Sequence, residues 1–485
     1  MITAATRRPA VLSPDHAAGL ASRAVTPLLI GLAFVRFLRP ATDPDLGWHL
    51  RAGDLVADNF RVPTSDPFSL TALGAPWTDN EWLWQLLLHW VRAGGGMVAV
   101  IMVQAVALAA GLVIEALAYR ASRPSGRFAS WTVGASVALL MPVAGVRPAM
   151  VGVIMSAGFL ACLEWCRVRS RYRLLWLLPL LEVAWANLHG SYLIGLALFG
   201  LYPLGALVGQ PDKLRELRRW LLPGAALAVA PLLNPRGPEL VRFTILASRL
   251  SFNRHYVVAW QPPQFQSAAG VLVAAALASS VIVLALLRPR VPVVHVVLFL
   301  GASLGVLWSM EFLPLFSIVV PLVVFSALDD AISLSAVATW VPVFASTALA
   351  AAVVLMLCDA AYELTPEAYG TTMAKYFPVE CTQYLKTRGI VGPVFNDFDW
   401  GGYLLMADPD LSVFVDSRTE LYGDRLLTTY LATASGDSPA RSVLNGYGIR
   451  TVLIKPRDGL AKDLLVDPGW TLSCDSGNAL LFTRS

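Results

Sequence analysis

The stretch AVTPLLIGLAFVRFLRPATDPDLGWHLRAGD, residues Ala24 to Asp54, runs from an apolar block straight into Asp43, Asp45, His49 and Asp54. If the block crosses a bilayer, these polar side chains stand where the chain leaves it. They are then either solvated loop residues or a site at the membrane surface. The rest of the chain has to decide.

Composition sets the class. The chain has 485 residues, of which 56% are hydrophobic and 14% charged, and its mean hydropathy is +0.60. A soluble domain carries about 25% charged residues, so a soluble enzyme is excluded. The apolar residues fall in blocks close to the roughly 20 residues of helix that span a hydrocarbon core. Eleven spans are expected, at 22–40, 97–119, 128–146, 149–166, 174–188, 191–209, 220–234, 268–287, 292–309, 312–328 and 337–358. The fold class is an α-helical polytopic membrane protein with a small α/β domain after the last span.

Basic residues orient it. Arg7, Arg8 and Arg23 precede the first span, Arg120, Arg123 and Arg127 follow the second, and Arg167, Arg169, Arg171 and Arg173 follow the fourth. Lys213, Arg215, Arg218 and Arg219 lie at the sixth, Arg288 and Arg290 at the eighth. Every second connection is thus short and basic, which the positive-inside rule assigns to the cytoplasm. Residues 1–21 are a cytoplasmic tail without a secretory signal pattern. Residues 22–358 form the membrane domain, and 359–485 an extracytoplasmic domain, in a bacterial cytoplasmic (inner) membrane.

The first outer loop, 41–96, is broken by Pro63, Pro67 and Pro76. Its run Trp82–Val91 is too short to span, and Trp82, Trp84 and Trp90 suit an interfacial helix ended by the glycines at 94–96. In the outer domain, PVFNDF, SVFVDS, RTVLIK and ALLFTR read as strands, with VECTQYLKTRG and DRLLTTYLATA as helices between them. Cys162 and Cys166 suit apolar burial. A bridge between Cys381 and Cys474 is allowed in an oxidising compartment but not decided by the sequence.

Polar residues sort by side. Arg147, Asn187, His189, Asn234, Arg236 and Glu311 all end or begin spans at the face of Asp43 and Asp45. Solvated helix ends explain each alone. Together they suit a site with a general base, hydrogen-bond donors and cations for an anion such as phosphate.

DPDLGWHLRAGDLVADNFRVPTSDPFSL, NEWLWQLLLHW, WANLHGSYLIG, PVFNDFDWGGYLL and VFVDSRTELYG resemble bacterial multispanning proteins of the GT-C-like glycosyltransferase class, over nearly the whole chain. The resemblance implies transfer of a sugar from a polyprenyl-phosphate donor at the outer face, with an essential acid in the first outer loop. Asp43 and Asp45 match that position as catalytic residues, or as ligands of Mg²⁺ or Mn²⁺ if a divalent cation is used. The pair here is Asp-Pro-Asp, where members of the class carry Asp-Asp or Asp-Glu, so the choice of carboxylate stays open. His49, Asp66, Glu81, Arg147, Asn187, His189 and Arg236 are candidate substrate-binding residues. His49 also reads as an interface residue, Asp66 and Glu81 as helix caps, and His189 as a buried hydrogen-bonded histidine. Asp54 reads as an exposed carboxylate, Asp397 and Asp399 as turn residues. The expected partners are a lipid-linked sugar donor, membrane lipids and an unidentified acceptor, and no nucleic acid. A transporter or flippase, or a non-catalytic scaffold, would share the polytopic architecture. A transporter would place coupling residues near the midplane and show inverted repeats, and no repeat is visible.

Overall fold

A computed structural model describes residues 14–123, 126–142, 148–206, 213–287, 291–331, 340–437 and 440–484. Arg147, Arg7, Arg8, Arg288 and Arg290, and most of the 1–21 tail, lie outside the described residues.

A helix coincides with each of the eleven apolar runs. Among the described residues five helices are long and apolar enough to cross a membrane: those within Trp82–Ser122, Pro148–Arg169, Ala268–Leu287, Met310–Ala331 and Phe344–Glu363. Ala129–Leu140, Gly190–Pro203 and Val293–Trp308 are shorter apolar helices. Their shared faces bury Leu108, Leu112, Phe159, Trp185 and Phe316 in one core, while Val281, Leu286, Leu304 and Leu355 point outward. Outward apolar side chains are what a lipid-facing surface requires.

One end of the bundle is basic. Arg123 and Arg127 pair with Asp330 and Asp329 at the end of Leu313–Ala331 (2.7 and 2.9 Å), and Arg167 holds Glu164 with both arms of its fork. The first outer loop covers the opposite end. It forms the Leu46–Asn59 helix, a looped stretch, and then the helix that begins at Trp82. The expected interfacial helix and the second span join without a loop. The break between them is Gly96 alone (φ 65°, ψ −160°), a conformation that favours glycine. Trp84 is buried in the core, whereas Trp90 is exposed as an interfacial anchor should be. Asp54 is not a free carboxylate: it bonds His89 (2.7 Å) and Arg92 (2.6 Å), tying the two loop helices together.

The outer domain has a five-stranded sheet of order β2-β1-β3-β5-β4: β1 Gly392–Asn396, β2 Leu411–Val413, β3 Thr451–Ile454, β4 Trp470–Asp475 and β5 Leu480–Arg484. The first three strands in that order are parallel, the last two antiparallel. The four expected strands are present, and β4 is additional. Cys381 and Cys474 are bridged, joining the Val379–Thr387 helix to β4. The first loop covers the β2 edge: Leu70 N–H donates to Val413 O (2.8 Å), which blocks an edge open to pairing.

Candidate active site

The site is built where the outer loop, two membrane-helix ends and the outer domain meet. Asp45 is the N-cap residue of Leu46–Asn59, and Asp43 Oδ1 accepts its backbone N–H at 2.9 Å. The two carboxylates therefore part company. Asp43 is buried and lines a small hollow with Met97, Met373 and Tyr403, while the charge of Asp45 acts on Glu81.

Glu81 lies between two imidazoles. Its Oε2 is 3.6 Å from His49 Nε2, and its Oε1 is 3.6 Å from His189 Nε2. It also accepts the Gly190 backbone N–H. Glu81 occupies the N-cap position of its helix, but its side chain makes no capping bond. Asp79, two residues earlier, accepts the Glu81 N–H and the Gln85 side-chain amide (2.6 Å). His189 Nδ1 accepts the Ser191 backbone N–H (3.2 Å) and faces Ser191 Oγ (2.7 Å). The network therefore puts the proton of a neutral His189 on Nε2, towards Glu81.

Burial sets the charge states. Desolvation lifts Glu81 well above the usual carboxylate range, and the charges of Asp45, Asp79 and Glu420 lift it further. It lifts Asp79 to about 7, against the Gln85 hydrogen bond. Glu420, from the outer domain, also rises to about 7, again through burial first. Desolvation lowers His49 to about 3, helped by His189 and Arg418, and His189 to about 4. At neutral pH both imidazoles are neutral, and burial with three neighbouring acids favours the protonated form of Glu81. The cluster can therefore donate hydrogen bonds to an oxygen-rich ligand, and it has room for added positive charge.

The other expected residues frame this cluster. Asn187 Oδ1 accepts from Trp82 Nε1 (2.7 Å) and from Asn234 Nδ2 (3.2 Å), joining the loop to two membrane-helix ends. Arg236 donates to the backbone carbonyls of Pro63 and Trp77 and so grips the loop. Asp66 accepts the N–H groups of Phe68 and Ser69, as a cap does, and also takes Arg418 Nη1 at 2.8 Å. Arg418 is fully buried, held by Asp416 on its other arm and packed over Trp77, Phe68 and Trp48. Asp66 is thus the first loop's clasp on the outer domain. Sequence reasoning missed Asp79, Glu420 and Arg418. Glu420 stands in SRTELYG, far along the chain, and no spacing points from it to Glu81.

Oxygen donors of this kind suit Mg²⁺ or Mn²⁺. Among the described residues, however, no three His, Cys, Asp or Glu side chains converge to hold a metal ion.

No protein family matches the sequence, and no curated protein matches it. Solved structures do. The chain is similar to ArnT from Cupriavidus metallidurans bound to undecaprenyl phosphate, with 13% identity and a TM-score of 0.55 over 96% of this chain and 98% of that one. It is similar to the archaeal oligosaccharyltransferase AglB from Archaeoglobus fulgidus in complex with an inhibitory peptide and a dolichol-phosphate, with 12% identity and a TM-score of 0.53 over 95% and 74% of the two chains. The apo oligosaccharyltransferase of Archaeoglobus fulgidus gives 12% identity and a TM-score of 0.52 over 89% and 69%. At such identities the likeness is one of fold. The chain shares the overall fold of these two membrane proteins.

Proposed function

We propose that this chain is a membrane glycosyltransferase that moves a sugar from a polyprenyl-phosphate donor to an acceptor at the outer face of a bacterial cytoplasmic membrane. Eleven helices cross that membrane, the N-terminus is cytoplasmic, and residues 359–485 lie outside. The observation that carries this reading is the meeting of Asp45, Asp79, Glu81 and Glu420 with His49 and His189 at the end of the bundle away from the arginines. The shared fold supports it, as do the undecaprenyl phosphate and dolichol-phosphate bound by ArnT and AglB.

The lipid phosphate is already a good leaving group. The enzyme must take the proton of an acceptor hydroxyl while a new C–O bond forms at the anomeric carbon and the bond to the phosphate oxygen breaks. Asp45 is the base. Asp43 fixes it through the Asp45 N–H. Protonated Glu81 donates a hydrogen bond to a substrate oxygen, with His49 and His189 beside it. Asn187 and Arg236 hold the loop, and Asp66 holds the outer domain that brings Glu420. No step runs through a metal.

The test is donor turnover by purified protein in lipid nanodiscs, read as release of undecaprenyl phosphate from a panel of undecaprenyl-phosphate sugars. Asp45→Asn should slow release by about 10² or more, the scale for losing a positioned base, without lowering the melting temperature. Asp43→Asn should cost less. Unchanged activity in both single variants and in the double variant would sink the mechanism, as would no turnover of any donor.

A further inference from the structure

The outer domain has a crevice that this reaction does not use. β1 lies between β2 and β3 in the sheet, so the chain goes from β1 to one side and returns on the other. In open parallel sheets, ligands sit outside the carboxyl ends of the strands where the order reverses. Asp397 and Asp399 follow β1 there, and Lys455 follows β3. Beside them opens a hollow of about 360 Å³, lined by Lys375, Tyr376, Trp400, Lys455, Arg457 and Asn478 among others. That volume lies at the lower end of small-molecule sites, roughly 300–1,000 Å³.

Three cations line it, Lys375, Lys455 and Arg457, with Asp397 and Asp399 in contact with Lys455 behind the lining. Lys455 Nζ is fixed at 2.9 Å from Asp397 Oδ1 and 2.8 Å from Asp399 Oδ2, over the buried indole of Trp400. Burial works against its charge, but the two aspartates outweigh it and keep the ammonium above its ordinary range. The Asn478 amide is anchored on the carbonyls of Ala374 and Phe377. Arg457 and Lys375 are exposed, and neither has an ion-pair partner among the described residues. Tyr376 is 51% exposed and offers an apolar ring face. A rigid ammonium, an exposed guanidinium beside Asp458 and a tyrosine ring with Lys375 Nζ 5.7 Å from its centre match a phosphate group next to a sugar-like ring.

We infer that this hollow binds a phosphate-bearing ligand of sugar-phosphate size. Two sources share that chemistry. One is a phosphorylated saccharide. The other is an anionic lipid headgroup, since the Pro366–Tyr376 helix starts just beyond the membrane-length helix ending at Glu363. The inference does not depend on the transfer reaction.

Full-length protein in zwitterionic nanodiscs is titrated with hexose 1-phosphate by calorimetry, with the neutral hexose as control. In a second arm, nanodiscs carry phosphatidylglycerol, and retained lipid is counted by native mass spectrometry. Lys455→Gln would strand two acids and risk misfolding, so the Lys375→Glu/Arg457→Glu pair, at exposed positions, carries the test. Saturable binding in either arm, weakened tenfold or more by the double variant and kept by Glu81→Gln, supports the site and names its source. Three results overturn it: no saturable binding in either arm, binding indifferent to the charge reversal, or binding lost in Glu81→Gln instead.

Discussion

At the scale of single residues, Asp79 and Glu420 make the fold pH-dependent. Burial raises both to about 7, while an unfolded chain titrates them near 4. The folded state then binds more protons than the unfolded one between those values. Their contribution is fully present below about pH 4 and is lost as pH rises through about 7. His49 and His189, lowered to about 3 and 4, act in the opposite sense up to about pH 6.5. The difference between variant and wild type is therefore the quantity to measure. The Asp79→Asn/Glu420→Gln double variant should gain stability relative to wild type as pH rises from 5 to 8 in a series of thermal melts. A pH-independent difference would show that these carboxyls titrate normally. Part of the site was legible beforehand. Asp45, Glu81 and His189 stand beside apolar runs whose ends could be read, and all of them reach one place. Glu420 was not legible, because only the docking of a separate domain brings it there.

At the scale of elements, two glycines explain why DLGWH and DWGGY contain them. A Cβ on Gly47 would stand 1.9 Å from Gly402 O, and one on Gly402 would stand 2.2 Å from Pro44 O. The Leu46–Asn59 and Gly401–Ala407 helices therefore touch backbone to backbone, directly beside Asp43 and Asp45. Gly47→Ala should force them apart at a cost of about 1–3 kcal/mol, the usual penalty for overpacking, and should reduce transfer by moving Asp45. Gly370, in the Pro366–Tyr376 helix, meets nothing within 4 Å. Its change to Ala should stabilise by about 0.5–1 kcal/mol. Equal melting temperatures for the two variants would refute the close contact. Helices were readable because long apolar runs have one solution in a bilayer. β4 was not, since WTLSCD is a half-exposed edge strand with no β-branched run to announce it.

At the scale of the whole molecule, the outer domain is held, among the described residues, at one end of the bundle. Trp48 Nε1 donates to Ser417 Oγ (3.1 Å), Thr71 Oγ1 to Phe414 O (2.6 Å), and Arg418 to Asp66 (2.8 Å). From a later loop, the Ser251 and Phe252 N–H groups donate to Asp424. Arg123, Arg127 and Arg167 lie at the other end with Asp330, Asp329 and Glu164. If the arginine end is cytoplasmic, as charge bias dictates, the domain and the carboxylate cluster must be outside, where a Cys381–Cys474 bridge persists. Two observations check this together. A phosphatase active only outside the cytoplasm should work when fused after Arg484 and fail when fused after Arg171, and a cytoplasm-dependent fluorescent fusion should do the reverse. Non-reducing peptide mapping of the same membranes should recover Cys381 linked to Cys474. A cytoplasmic signal from the Arg484 fusion would put the cluster on the wrong face for a lipid-linked donor displayed outside, and would remove the basis of the transfer reaction.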